Sequence, residues 1–367
     1  MENFAHTLLG LSLAKAGLER TTPLATTALV VGSNLPDVDV LMRVGGDTSA
    51  YLEYHRGFTH SFVGLALLAV IITFALTLID RRFRLRRDHR RRPMRPLRLF
   101  WIAYLGGLGH TFMDFTNNYG VRPLLPFSPR WFYGDIIFVV DPWVWLILGS
   151  AVVWLTTTNS GRALFWLTVG VVLALVMTLA LQTPANNLTP LPMTARVVWF
   201  IGMGVIVVGA LLGWGRQGER LARYSLLILC MYYGGMWMTH QTALRQAANP
   251  PPAESLRQLA AWPTPANPLL WQAAAASDDA AFIRTLHLTT REGQWLKQSA
   301  LDVRFVDALR QSRDGRVFLD FARFYSANVD ESNNGYIITL RDLRFDLRLR
   351  AELDRDLNVV ATETRWF

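Results

Sequence analysis

His6, His55, His60 and His110 stand with Asp37, Asp39 and Asp114 in the first third of this chain, and together they could hold a metal ion. Imidazole and carboxylate without thiolate suit Zn²⁺, Mn²⁺ or Fe, with zinc the first expectation. In "GGLGHTFMDFTNN", His110 and Asp114 are one helical turn apart on one face, with Gly106 a turn earlier and Asn117 close to that stripe. Both side chains then point the same way and can ligate one ion, while the glycines let a neighbouring helix approach and add ligands. There are more potential ligands than one tetrahedral ion needs, so two or more ions bridged by Asp37 or Asp114 are expected. Such a centre makes hydroxide near neutral pH and clamps an ester, which points to hydrolysis. Asp37, Asp39, His55 and Arg56 are the catalytic candidates. The planar fork of Arg56 suits a substrate phosphate, and an ion pair with Glu53 or Asp37 is its structural alternative.

Taken singly, each residue has a plainer role: a His-x-x-x-Asp pair can be a polar clamp between helices, and Asp37 and Asp39 can end a helix after Pro36. Convergence favours function, because ionisable groups in apolar segments are expensive. The single cysteine, Cys230, lies in an apolar run and excludes both an intrachain disulfide and a thiolate zinc site.

The elements that must position these residues read as membrane helices. Hydrophobic residues make up 51% of the 367, and the excess lies between 58 and 240. Apolar stretches at 58–79, 99–118, 137–157, 163–182, 196–215 and 224–240 predict about six crossings. The net charge of +9 is carried almost wholly by arginine. Ten arginines in "DRRFRLRRDHRRRPMRPLR" place that loop in the cytoplasm, facing anionic lipid rather than nucleic acid. His60, the end of the second crossing and everything after 240 then lie on the outer side. The helices before residue 50 are too short to span and read as half-embedded. "AKAG" at 14–17 has the form of a signal-peptidase site, but no basic residue precedes it, so retention of His6 is expected.

The fold class expected is an all-α polytopic bundle with a small C-terminal α+β domain. Its parts are a membrane-embedded unit over 1–240, a proline-rich linker over 241–270 and an extracytoplasmic domain over 271–367. "LRFDLRLRAEL" alternates as a half-buried strand, "DRDLN" turns it into "VVATETRW", and "VRFVDALRQ" and "RVFLDFARFY" read as helices.

The ordered motifs "HTLLG", "NLPDVD", "HRGFTHS", "GHTFMDFTNNYG" and "WFYGDIIFVVDPW" resemble the YdjM-type membrane-bound metal-dependent hydrolases of bacteria, over about residues 1–155. That family is distantly similar to zinc-dependent phospholipase C and S1/P1-type nucleases. The resemblance implies a bacterial inner-membrane location and phosphoester hydrolysis, and the site's expected place near the headgroup plane points to a lipid or lipid-linked phosphoester as substrate. It also implies His6, Asp37, Asp39, His55, His60, His110 and Asp114 as ligands. Those soluble enzymes use a processed amino terminus as a ligand, whereas this sequence starts at Met1 with His6 nearby.

The remaining candidates are weaker. Asp135 belongs to the resembling pattern. Asp141 before Pro142 has a sufficient reason as a helix cap. His89 reads as solvated, and His240 and His287 as surface or core histidines. The rival function is a transporter or metal-handling protein using the same ligands, which would need polar residues continuing through later helices to the inner face.

Overall fold

The computed structural model describes residues 1–84, 92–179, 193–249, 255–290 and 293–366; His89 lies outside them. Helix α1 (Asn3–Lys15) is capped by the Glu2 carboxylate, which accepts from the Ala5 N–H. Helix α2 (Ala25–Gly32) leads into a 3-10 helix, Leu35–Arg43, with Pro36 in its first turn. Then come α3 (Thr48–Tyr54), a 3-10 turn Phe58–His60 and α4 (Phe62–Ile79), whose first N–H groups are met by Ser61. Helix α5 (Pro96–Phe115) starts with proline, as does α6 (Pro142–Thr156), where missing N–H groups cost nothing. Helices α7 (Ser160–Leu179), α8 (Met193–Leu211) and α9 (Glu219–Ala247) complete the helical part.

The six-crossing bundle expected from hydropathy is not what forms. Among the described residues only Phe62–Arg84, which is α4 and its extension, and Met193–Leu211 are long and apolar enough to cross a membrane. Helix α6 and the segment Ser160–Val176 are apolar but shorter. Hydropathy cannot tell a side chain facing lipid from one facing protein. Helix α5 buries Leu99, Ile102, Ala103 and Met113 against its neighbours, chiefly α2 and α4. Helix α9 is amphipathic and turns Leu229, Tyr233, Met236 and His240 into the protein, touching α6 and a sheet.

The chain is also not all-α outside a small appendix. Two antiparallel four-stranded sheets follow α9. The first joins β1 (Gln258–Thr264), β2 (Asn267–Ala276), β3 (Ala280–His287) and β4 (Leu296–Ser299) in chain order. Much of the stretch 241–270 expected as a linker is therefore the end of α9, β1 and the start of β2. Pro263 is tolerated because β1 is an edge strand. After α10 (Val303–Gln311) and α11 (Arg313–Phe321), the second sheet runs β5 (Tyr325–Ser332), β6 (Gly335–Asp342), β7 (Leu347–Asp354) and β8 (Val359–Trp366). In β7, Leu347, Leu349, Ala351 and Leu353 are buried beside partly exposed or exposed charged residues, as their alternation demands.

Two features of packing position the site. Helices α2 and α5 cross where Gly32 meets Gly106; a Cβ on Gly106 would lie 2.8 Å from the Leu29 carbonyl oxygen. The second sheet and its helices pack on the site-bearing loops through α11 and α3.

Candidate metal centre

Four elements bring these histidines and aspartates together. Asp37 and Asp39 come from the 3-10 helix, His55 and Arg56 from the end of α3, His60 from the turn before α4, and His110 and Asp114 from the last turns of α5. Asp37, His60, His110 and Asp114 offer donor atoms all within 4.8 Å of one another, and Asp37, Asp39 and His55 form a second such group. All are buried. Asp37 is common to both, the position expected of a bridging carboxylate.

The hydrogen bonds fix which ring nitrogens face inward. His110 Nδ1 lies 2.8 Å from the Ser33 carbonyl oxygen, so it must be the protonated donor. His60 Nδ1 lies 3.2 Å from Asp39 Oδ2, and the same logic holds. In neutral rings each Nε2 is then a lone pair, and the two Nε2 atoms face each other at 3.0 Å. Two such lone pairs repel unless a proton or a metal ion lies between them. Asp114 Oδ2 lies 3.3 Å from both Nε2 atoms and has no hydrogen-bond donor of its own. Asp37 Oδ1 stands 3.4 Å from His60 Nε2 and 3.5 Å from His110 Nε2. These separations match the edge of a tetrahedron of ligands with zinc-type bonds, about 3.3–3.4 Å. The residues present fit a divalent ion.

Asp39 plays a different part from Asp37. Its Oδ1 receives His55 Nδ1 at 2.8 Å, and its Oδ2 accepts from the Arg56 N–H at 3.0 Å and the Thr59 hydroxyl at 2.9 Å. With His60 Nδ1 also against it, this carboxylate orients histidines, the arrangement that sets tautomer and ring angle behind metal ligands. Burial alone would raise the Asp39 carboxyl, but the bonds from His55 and His60 outweigh it and hold it below the usual carboxylate range. The same balance, with His110 and His60 as partners, depresses Asp37. Burial pushes His6 and His55 below the ordinary histidine value. Ionised carboxylates and neutral imidazoles are the forms a metal takes.

His6 stacks on His110 with ring centroids 3.7 Å apart, and its Nε2 is 3.6 Å from Asp114 Oδ1. Its Nδ1 has no hydrogen-bond partner. The Met1 amino group lies against the same Asp114 oxygen. Arg56, buried and with φ of 54°, pairs with Asp114 Oδ1 at 3.0 Å, and not with Glu53 or Asp37. It also donates to Asn117 Oδ1 at 2.8 Å and sits 4.5 Å from the centre of the Tyr119 ring. Its fork is committed to the cluster's own carboxylate.

The other candidates are placed elsewhere or in supporting positions. Glu53 is turned outward to Arg313 of α11, at 2.8 Å. Asp135, with φ of 56°, takes both carboxylate bonds from Arg323, at 3.0 and 2.8 Å. Asp141 caps α6 and accepts from the Tyr232 hydroxyl at 2.7 Å. His240 stacks on Trp271 and His287 contacts Thr289, both far along the chain from the cluster. Sequence reasoning missed Ser33, Thr59 and Tyr119. Thr59 lies inside the "HRGFTHS" motif, whereas Ser33 acts through its carbonyl, which leaves no mark in a sequence.

Among the described residues two apolar helices are long enough to cross a membrane, and one of them, α4, starts beside a buried histidine and carboxylate cluster that could hold a metal. The family model described as YdjM inner membrane protein matches residues 1–185, and the chain belongs to that family. A second model, YfhP C-terminal alpha/beta plait domain, matches residues 304–367. The chain is 27% identical to the uncharacterized protein YfhP of Bacillus subtilis (strain 168) over 173 residues, 44% of this chain and 48% of that protein. It thus spans about half the length of that curated relative. No solved structure matches the chain. The resemblance read from the motifs is borne out; none of these matches carries a hydrolase activity in its description.

Proposed function

We propose that this protein is an integral membrane metal-dependent hydrolase that cleaves a phosphoester, lipid-linked or of a lipid, at the outer face of the inner membrane. The observation that carries the reading is the pair of opposed Nε2 lone pairs of His60 and His110, flanked by Asp37 and Asp114. A divalent ion bound there, zinc first and manganese or iron next, supplies Lewis acidity and an activated water. His60, His110, Asp37 and Asp114 would hold it, with His55 beside Asp37 in the neighbouring group and His6 stacked on His110. Asp39 and Ser33 fix the rings, and Arg56 offsets the charge of Asp114.

The outer-face assignment is supported by the length of α4. Its 18 residues separate the cluster from the arginine-rich loop, which the positive-inside rule keeps in the cytoplasm. The second sheet and α11 pack on α3, at the cluster's end of that helix, which supports an extracytoplasmic C-terminal domain. A conduit reading gains no support from α8, whose sequence holds Arg196 as its one charged residue and no histidine.

The test is metal analysis of the detergent-purified protein by mass spectrometry, with phosphodiesterase assays on lipid substrates. Wild type is expected to carry a divalent metal and turn over. His110→Ala and Asp114→Ala are expected to lose both, and Asp39→Ala to lose about 10- to 100-fold in metal affinity. Unchanged metal content in the first two variants would overturn the reading.

A further inference from the structure

The 3-10 helix that carries Asp37 and Asp39 wears its side chains the wrong way round for water. Its two aspartates are 7% and 6% exposed, while Val38, Val40, Leu41, Met42 and the following Val44 lie open, Leu41 at 63% and Val44 at 81%. An aqueous surrounding favours the reverse, and a contiguous apolar patch of this kind marks something that covers it. What covers it follows from its neighbours. The helix touches the Phe58–His60 turn and the start of α4. Phe58 and Phe62 are exposed there, and the open apolar face continues along α4 through Phe74 to Ile79, on a helix long enough to cross a membrane. The rim of the cluster is therefore continuous with a surface that, in an inner membrane protein, meets acyl chains. Arg43, exposed between Met42 and Val44, stands where lipid phosphates would lie.

We propose that the segment from Leu35 to Val44 lies in the interfacial layer of the bilayer, its aliphatic side chains among the upper acyl chains and its aspartates turned inward to the cluster. Substrate then reaches the centre from the membrane, as a lipid whose phosphoester already sits at the depth of Asp37. The substrate class rests on the hydrolase reading above; the docking does not.

The test uses the full chain with its one cysteine removed, Cys230→Ser, and a single new cysteine at Leu41→Cys or Val44→Cys. Each is labelled with an environment-sensitive nitrobenzoxadiazole dye and reconstituted in phosphatidylcholine nanodiscs containing doxyl-labelled lipid. Asn333→Cys, exposed at the β5–β6 turn, is the comparison. Labels at 41 and 44 are expected to be quenched by doxyl lipid at least about twofold more than the label at 333, and to be shielded from aqueous iodide. Iodide quenching equal to that at 333 overturns the proposal. Shielding from both quenchers also overturns it, because a protein partner then covers the patch. A protein without metal or phosphodiesterase activity removes the hydrolase reading and leaves the quenching result standing, whereas unquenched labels on metal-bearing protein remove the docking alone.

Discussion

At the Nε2 edges of His60 and His110 two ring nitrogens are held face to face at 3.0 Å by hydrogen bonds on the far side of each ring, an opposition that a shared metal ion would relieve. Asp141 illustrates the other fate of a buried acid in this chain. Burial pushes its carboxyl up to about 6 against the bond from Tyr232. A folded-state pKa above that of the unfolded chain stabilises the fold at pH values below the ordinary aspartate range, and this contribution is lost as pH rises through about 6. Asp141→Asn keeps an acceptor for the Trp143 and Val144 N–H groups but cannot ionise. It is expected to flatten the fall in melting temperature expected of wild type from about pH 4 to pH 7; parallel melting curves would show that another group titrates. The residue types of the cluster were legible in the sequence because histidine and aspartate are costly in apolar segments. Their partners were less so. Sequence offered Glu53 or Asp37 to Arg56, but Glu53 is drawn to Arg313, 260 residues further on, and Arg56 takes Asp114.

Among elements, the crossing of α2 and α5 matters most, because it sets the distance between Ser33 and His110. Gly106→Val would drive a branched side chain into the backbone of α2, already 2.8 Å from where its Cβ would sit. Overpacking of this kind costs about 1–3 kcal/mol. The variant is expected to melt lower in detergent and to lose metal even though no ligand has changed, and normal metal retention would show that the crossing does not position the ring. The spacing of Gly106, His110 and Asp114 was readable from helical period alone, and so was β7 from its strict alternation. The first sheet was not. Runs such as "QAAAA" in β2 lack the polar alternation that signals a strand, and the prolines around β1 read as a linker. The count of crossings failed for a related reason, since α5 and α9 use apolar side chains to meet protein.

At the scale of the molecule, the C-terminal domain is fastened to the loops beside the cluster. Buried Arg344 pairs with Asp342 at 3.0 Å and donates to the Asn118 carbonyl at 3.1 Å, while Phe321 packs on Tyr119 with centroids 4.8 Å apart. Arg323 reaches Asp135 and lies 4.0 Å from the centre of the Tyr133 ring. Arg323→Met would strand the Asp135 carboxylate in a buried site, a change that costs about 3–5 kcal/mol. Limited proteolysis is expected to cut between the sheets and the helical part far faster in this variant than in wild type, and equal cleavage rates would show that the ion pair does not secure the domain.

The order of parts along the chain has a consequence for how each molecule is made. Every candidate ligand lies between His6 and Asp114, whereas Arg323 is 188 residues beyond the Asp135 it grips. The candidate ligands leave the ribosome well before the residues that fasten the C-terminal domain beside them. The Arg323–Asp135 ion pair therefore forms only after every candidate ligand has been made.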